Sequence, residues 1–113
     1  MEHVNIELQG KIKATDYSNF VDTQSEIDLV ETMKGKHGYF IKVSSKILPD
    51  TDGVRASVIL GLKETKEGIN WVEGGKLDKY LNAKGVKEPS DLVGLPCIIG
   101  MNKKDDGSSF LTI

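Results

Sequence analysis

The stretch HGYFIKVSSKILPDTDGVRASVILGLK, residues 37–63, decides how the chain is read. Tyr39, Ile41 and Val43 fall on one parity, and Phe40, Lys42, Ser44 and Lys46 on the other. From Val54 the alternation is stricter: Val54, Ala56, Val58, Leu60 and Leu62 against Arg55, Ser57, Ile59, Gly61 and Lys63. A period of two is strand geometry, because successive side chains point to opposite faces of a sheet. Between the runs stands Pro49-Asp50-Thr51-Asp52-Gly53. Proline presets φ there, the aspartates bond locally and glycine accepts positive φ, so the segment is a turn. Two alternating runs about such a turn predict an antiparallel hairpin with its apolar parity toward the core.

Upstream, His3–Ala14 alternates as well. Val4, Ile6, Leu8, Ile12 and Ala14 oppose Glu7, Gln9, Lys11 and Lys13, and Gly10 marks a bend. Residues 15–37 have a different pattern. Thr23-Gln24-Ser25-Glu26 fits a capping box, Ile27, Val30 and Met33 follow at helical spacing, and Gly35 can end the turn. The alternation of Ile27, Leu29 and Met33 is also compatible with a strand; the expectation is a short helix or irregular loop.

Downstream of the hairpin, Glu64 to Gly68 is a polar turn and Ile69 to Val72 a short extension carrying Trp71. Lys76 to Lys84 is a short helix, with Leu77, Tyr80 and Leu81 on one face and Gly85 as its stop. Pro89-Ser90-Asp91 turns the chain, and Pro96 to Asn102 is an apolar strand. Lys103 to Gly107 is a tight hairpin loop, followed by a last strand, Ser109 to Ile113. The expected fold is all-β. Five strands with a helix between the third and fourth is the order of an OB-fold, a small Greek-key barrel, here with one or two short helices. With 113 residues, the whole of 1–113 is expected to form a single domain around one core.

Composition narrows the function classes. Apolar residues are 38% and charged residues 28%, a mix that is neither disordered nor membrane-like. No apolar run approaches the roughly 20 residues that span a bilayer, so no membrane partner is expected. Met1-Glu2-His3-Val4 has neither a basic nor an apolar signal region, which predicts a cytoplasmic protein. One cysteine excludes an internal disulfide, and one cysteine with two histidines argues against zinc. Gly74-Gly75-Lys76 resembles the end of a phosphate loop. However, Asn70 stands where its first glycine belongs, and Leu77 where a hydroxyl should meet magnesium. His3 and His37 have no metal-spaced partners, Cys97 sits in an apolar strand, and Asp50/Asp52 and Asp105/Asp106 belong to turns. No acid–base pair clusters, so no enzyme, catalytic residue, metal or cofactor is expected.

Binding chemistry is better represented. The net charge of −2 is uneven: residues 1–32 hold seven acids against two lysines, whereas 33–87 hold eleven basic residues against six acids. Arg55 is the one arginine, and a lysine-dominated surface suits phosphate contact without base selection. The polar parity of the hairpin carries Phe40, Lys42, Lys46, Arg55 and Lys63 and no acid, with Trp71 just beyond. OB-folds use this face for single strands, cations following phosphates and aromatics stacking on bases. The expected partner is single-stranded DNA or RNA, with Phe40 and Trp71 stacking and Lys42, Lys46, Arg55 and Lys63 on phosphates. A solvated lysine surface would use the same residues. The alternative function is a protein-interaction or assembly module. In it a protruding 15–37 loop offers Phe20, Val21, Ile27, Leu29 and Val30 to a protein partner, or the chain forms a homo-oligomer.

Leu77, Tyr80-Leu81, Gly85-Val86, Pro89 and Asp91-Leu92-Val93-Gly94, followed by an apolar strand, resemble a family pattern. The segment looks like the helix-then-strand portion of small phage and archaeal OB-fold proteins tied to replication or recombination, some binding single-stranded DNA. The resemblance covers about residues 54–113, and Leu95 stands where the family often has lysine. It implies an OB-fold and a nucleic-acid partner.

Overall fold

Residues 24–35, expected as helix or loop, form the longest strand, β1 (Gln24–Gly35), in the computed structural model, which describes residues 7–10 and 17–113. The reason is a β-bulge between Ile27 and Leu29. A bulge inserts one residue and so flips the parity beyond it. Ile27 and Val30 therefore both face the core although three residues apart, which is also the spacing of one helical turn. The capping-box threonine does other work: the Thr23 hydroxyl donates to the Phe20 carbonyl at 2.6 Å, closing a 3-10 turn at Ser18–Phe20.

The bulge is also where β1 changes partners. Its first residues pair antiparallel with β6 (Pro96–Ile98), and Ile27 exchanges backbone hydrogen bonds with Gly94 and Leu95 at 2.8 Å. Beyond the bulge, Leu29–Gly35 pair antiparallel with β2 (Gly38–Ser45), which in turn pairs with β3 (Ser57–Gly61). The predicted antiparallel hairpin is present, with strands shorter than the expected 37–48 and 54–63. Ala56 and Leu60 are buried, Val58 and Leu62 pack on the core, and Ile59 on the other parity is exposed. Buried Ser45 ties the hairpin's open end. Its hydroxyl accepts from the Ala56 N–H at 3.0 Å and donates to the Lys46 carbonyl at 2.8 Å, satisfying polar groups that burial would otherwise penalise.

The order among these strands is β3-β2-β1-β6. Among the described residues there are two further two-stranded sheets. β4 (Lys63–Thr65) and β5 (Gly68–Asn70) form a hairpin where a plain polar turn was expected. The expected strand Pro96–Asn102 breaks at Ile99, and its second part, β7 (Gly100–Lys103), pairs instead with β8 (Ser109–Thr112). Among the described residues the fold is thus mostly strand with one α-helix, and the sheets do not close into a barrel. Most of the strand expected over His3–Ala14 lies outside the described residues; Glu7–Gly10 are exposed and carry no strand.

The α-helix α1 (Lys76–Lys84) has the predicted bounds. Gly85 ends it in the left-handed region at φ 73°, and the Val86 N–H returns to the Leu81 carbonyl at 3.1 Å. Leu77 and Leu81 lie in the main core with Ile27, Ile41, Val43, Leu60, Leu92 and Cys97. A second cluster of Leu48, Ala56, Ile99 and Leu111 packs with Tyr17 and Phe20. Helix and core thus cover one face of β1–β2–β3; the other exposes Leu29, Met33 and Ile59 and buries Ser44, which the sequence pattern had put outside.

Candidate nucleic-acid interface

The strand registers fix which residues share the open face. In three rows across β1, β2 and β3 they read Leu29–Ser44–Ser57, Glu31–Lys42–Ile59 and Met33–Phe40–Gly61. Leu29, Met33 and Ile59 are exposed, at 37%, 41% and 59%. The hydroxyls of Ser44 and Ser57 bond to each other at 2.8 Å and close the upper row. In the lower row the half-buried Phe40 ring lies across Gly35, where an added Cβ would come within 2.9 Å of it. Lys42 is at the centre, and neither it nor Glu31 joins an ion pair among the described residues.

The six residues predicted to form one site are separated into three settings. Phe40 and Lys42 lie together on the open face. Lys46 and Arg55 are engaged by acids of β1: Lys46 Nζ is 3.0 Å from Glu26 Oε2, and Arg55 Nη1 is 3.0 Å from Asp28 Oδ2. Arg55 also donates to the Ser45 carbonyl at 3.0 Å. The hydrogen bond and charge of Glu26 hold the Lys46 pKa above the usual lysine range. Lys63 and Trp71 share a separate depression of about 300 Å³ beside the start of α1, together with Gly61, Leu62 and Lys76. Trp71 is partly buried against the core and also walls a larger, mostly apolar depression of about 380 Å³ with Val30, Ile41, Ile69, Pro89 and Val93.

The face expected to be free of acid therefore carries Glu31, with Glu26 and Asp28 at its margin. The alternation within β1 was visible, but which strand it would border was not. Leu29, Glu31 and Met33 are the face residues that sequence reasoning missed. The protruding loop of the alternative reading is overturned, because Ile27 is buried, Val30 packs on the main core and Phe20 on the second.

The remaining groups have structural surroundings. Burial pushes the Cys97 thiol up in pKa, which disfavours the reactive thiolate. Asp106 accepts from the Ser108 N–H and hydroxyl at 2.9 and 2.6 Å, and these bonds hold its carboxyl below the usual range. Among the described residues no three His, Cys, Asp or Glu side chains gather for a metal, and no helix is long and apolar enough to cross a membrane. In comparisons with known proteins, no family model, curated protein or solved structure matches the chain.

Proposed function

We propose that this chain is a non-catalytic, OB-like domain that binds single-stranded DNA or RNA on the open face of β1, β2 and β3. The observation that carries the reading is the composition of that face: an aromatic ring, three exposed apolar side chains and a central lysine without an ion-pair partner among the described residues. Bases stack or rest on the apolar groups while Lys42 meets phosphate. The strand order supports the same reading. A meander of three strands and then, after the β4–β5 hairpin, a helix and a returning strand that pairs with the first follow OB-fold order, with Gln24–Gly35 as the first strand.

Area weighs against a dimer on this face. Three strands about 4.8 Å apart and three rows about 6.8 Å apart cover roughly 300 Å² once side chains are included. A stable protein interface needs about 800 Å² per partner and depletes charge from its centre, where Lys42 stands. A short run of nucleotides needs neither.

The test is fluorescence anisotropy with labelled oligodeoxythymidine and oligouridine of about ten nucleotides, against a duplex control. Phe40→Ala is expected to weaken binding about tenfold, and Lys42→Glu to weaken it and flatten the salt dependence. Equal affinity of both variants and the parent chain would remove this face from the binding site. A flat titration with every strand would end the nucleic-acid reading and turn the search to a protein partner.

A further inference from the structure

The depression beside Trp71 lies next to the open face, and Gly61 belongs to both. Gly61 is the register partner of Phe40 at the corner of the face, and it lines the depression with Lys63, Trp71 and Lys76. No fold constraint explains a glycine at this position. Its φ lies outside the left-handed region, and an added Cβ would have nothing within 4 Å. Gly61 therefore puts no side chain between its register partner Phe40 and the Trp71 depression that it lines.

The depression has its own chemistry. None of the described residues that line it is acidic. Among the described residues, Lys63 and Lys76 join no ion pair, and the Trp71 indole N–H has no acceptor. An aromatic surface, an unused donor and two ammonium groups suit a nucleobase with its flanking phosphates. A volume of about 300 Å³ is at the small end of ligand pockets, the scale of one such unit.

We infer that the Trp71 depression is a second nucleotide subsite, so that one bound strand runs from Phe40 over Gly61 and places a base against Trp71 between Lys63 and Lys76. The inference rests on the proposed sheet-face binding. It adds Lys76 to the contacts and gives Gly61 the role of an open passage.

Trp71 is the only tryptophan, so its fluorescence reports the two depressions it walls, while anisotropy of a labelled strand reports binding anywhere; the Lys63 and Lys76 variants assign the signal to this one. The probe is oligodeoxythymidine of about ten nucleotides, long enough for both subsites. The expected result is a rise in anisotropy accompanied by Trp71 quenching. Gly61→Val, which closes the passage, and the exposed double variant Lys63→Gln/Lys76→Gln should each lose most of the quenching and weaken binding about tenfold. Far-ultraviolet circular dichroism checks that both remain folded. An anisotropy rise that Phe40→Ala reduces, with Trp71 fluorescence unchanged, would overturn the subsite and leave the sheet face standing. Full quenching retained in both variants would equally overturn the path over Gly61. No anisotropy change in the parent chain would remove the underlying reading and the subsite with it.

Discussion

Two of the predicted phosphate contacts are held by carboxylates of the same chain, and releasing them should change binding by a calculable amount. Glu26 and Asp28 each stand 3.0 Å from a cation, Lys46 and Arg55 respectively. The double variant Glu26→Gln/Asp28→Asn removes both carboxylate charges and raises the net charge from −2 to 0. For single strands, each phosphate neutralised contributes about −0.7 to the slope of log affinity against log salt. Two released cations should therefore steepen the slope by about 1.4. Affinity should rise most at low salt. Exposed ion pairs contribute about 0–1 kcal/mol each, and Arg55 keeps its bond to the Ser45 carbonyl, so the fold should survive. The assay is anisotropy of a labelled ten-nucleotide strand from about 50 to about 200 mM salt. An unchanged slope, or weaker binding at every salt concentration in a folded variant, would refute the idea that these carboxylates withhold Lys46 and Arg55 from a strand.

Two further predictions concern stability. Burial raises the Tyr80 pKa from 10.0 to about 12, and its hydroxyl is buried without a hydrogen-bond partner. Below pH 10 the phenol is neutral in both folded and unfolded chains; between about 10 and 12 the unfolded chain ionises first, so stability falls as pH rises through that window. Tyr80→Phe should leave stability at pH 7 unchanged or higher and remove that alkaline loss; urea melts at both pH values that show the same loss in parent and variant would contradict it. Ser45→Ala leaves the buried Ala56 N–H without its 3.0 Å acceptor and should cost about 1–3 kcal/mol, so a thermal melt indistinguishable from the parent would show that the hydroxyl is not needed.

What could be read from the sequence follows from the range of the interactions involved. The hairpin at 37–63 and the helix at 76–84 depend on neighbours a few residues apart: alternation, a Pro–Asp–Gly turn and a glycine stop. Both stand where the pattern put them. β1 did not yield to the same reading, because its bulge places Ile27 and Val30 on one side at a spacing that also describes a helix. The break at Ile99 escaped for a related reason. Pro96–Asn102 is uniformly strand-like, but Ile99 bonds its backbone to Asp22 and Thr23, where the chain passes from the β1 sheet to the β8 hairpin. Such exchanges of partner are properties of the fold rather than of any local window.

The same distinction governs the site. Parity along β2 and β3 correctly placed Lys42 and Phe40 on one face. It could not show that the acidic first third of the chain would lie alongside as β1, with Glu31 in register with Lys42 and Glu26 and Asp28 on Lys46 and Arg55. Two cations at the margin of the face are thereby engaged by β1 carboxylates, and Lys42 is the one cation in its three rows. A face with one such cation has few phosphates to gain from counterion release, whereas each base stacked on an aromatic contributes about 1–3 kcal/mol. Affinity on this face should therefore rest more on Phe40 than on Lys42, with a shallow salt dependence. If Lys42→Glu weakened binding much more than Phe40→Ala, electrostatics would dominate in spite of the β1 acids, and the strand would have to approach from the lysine-flanked Trp71 side rather than across the sheet.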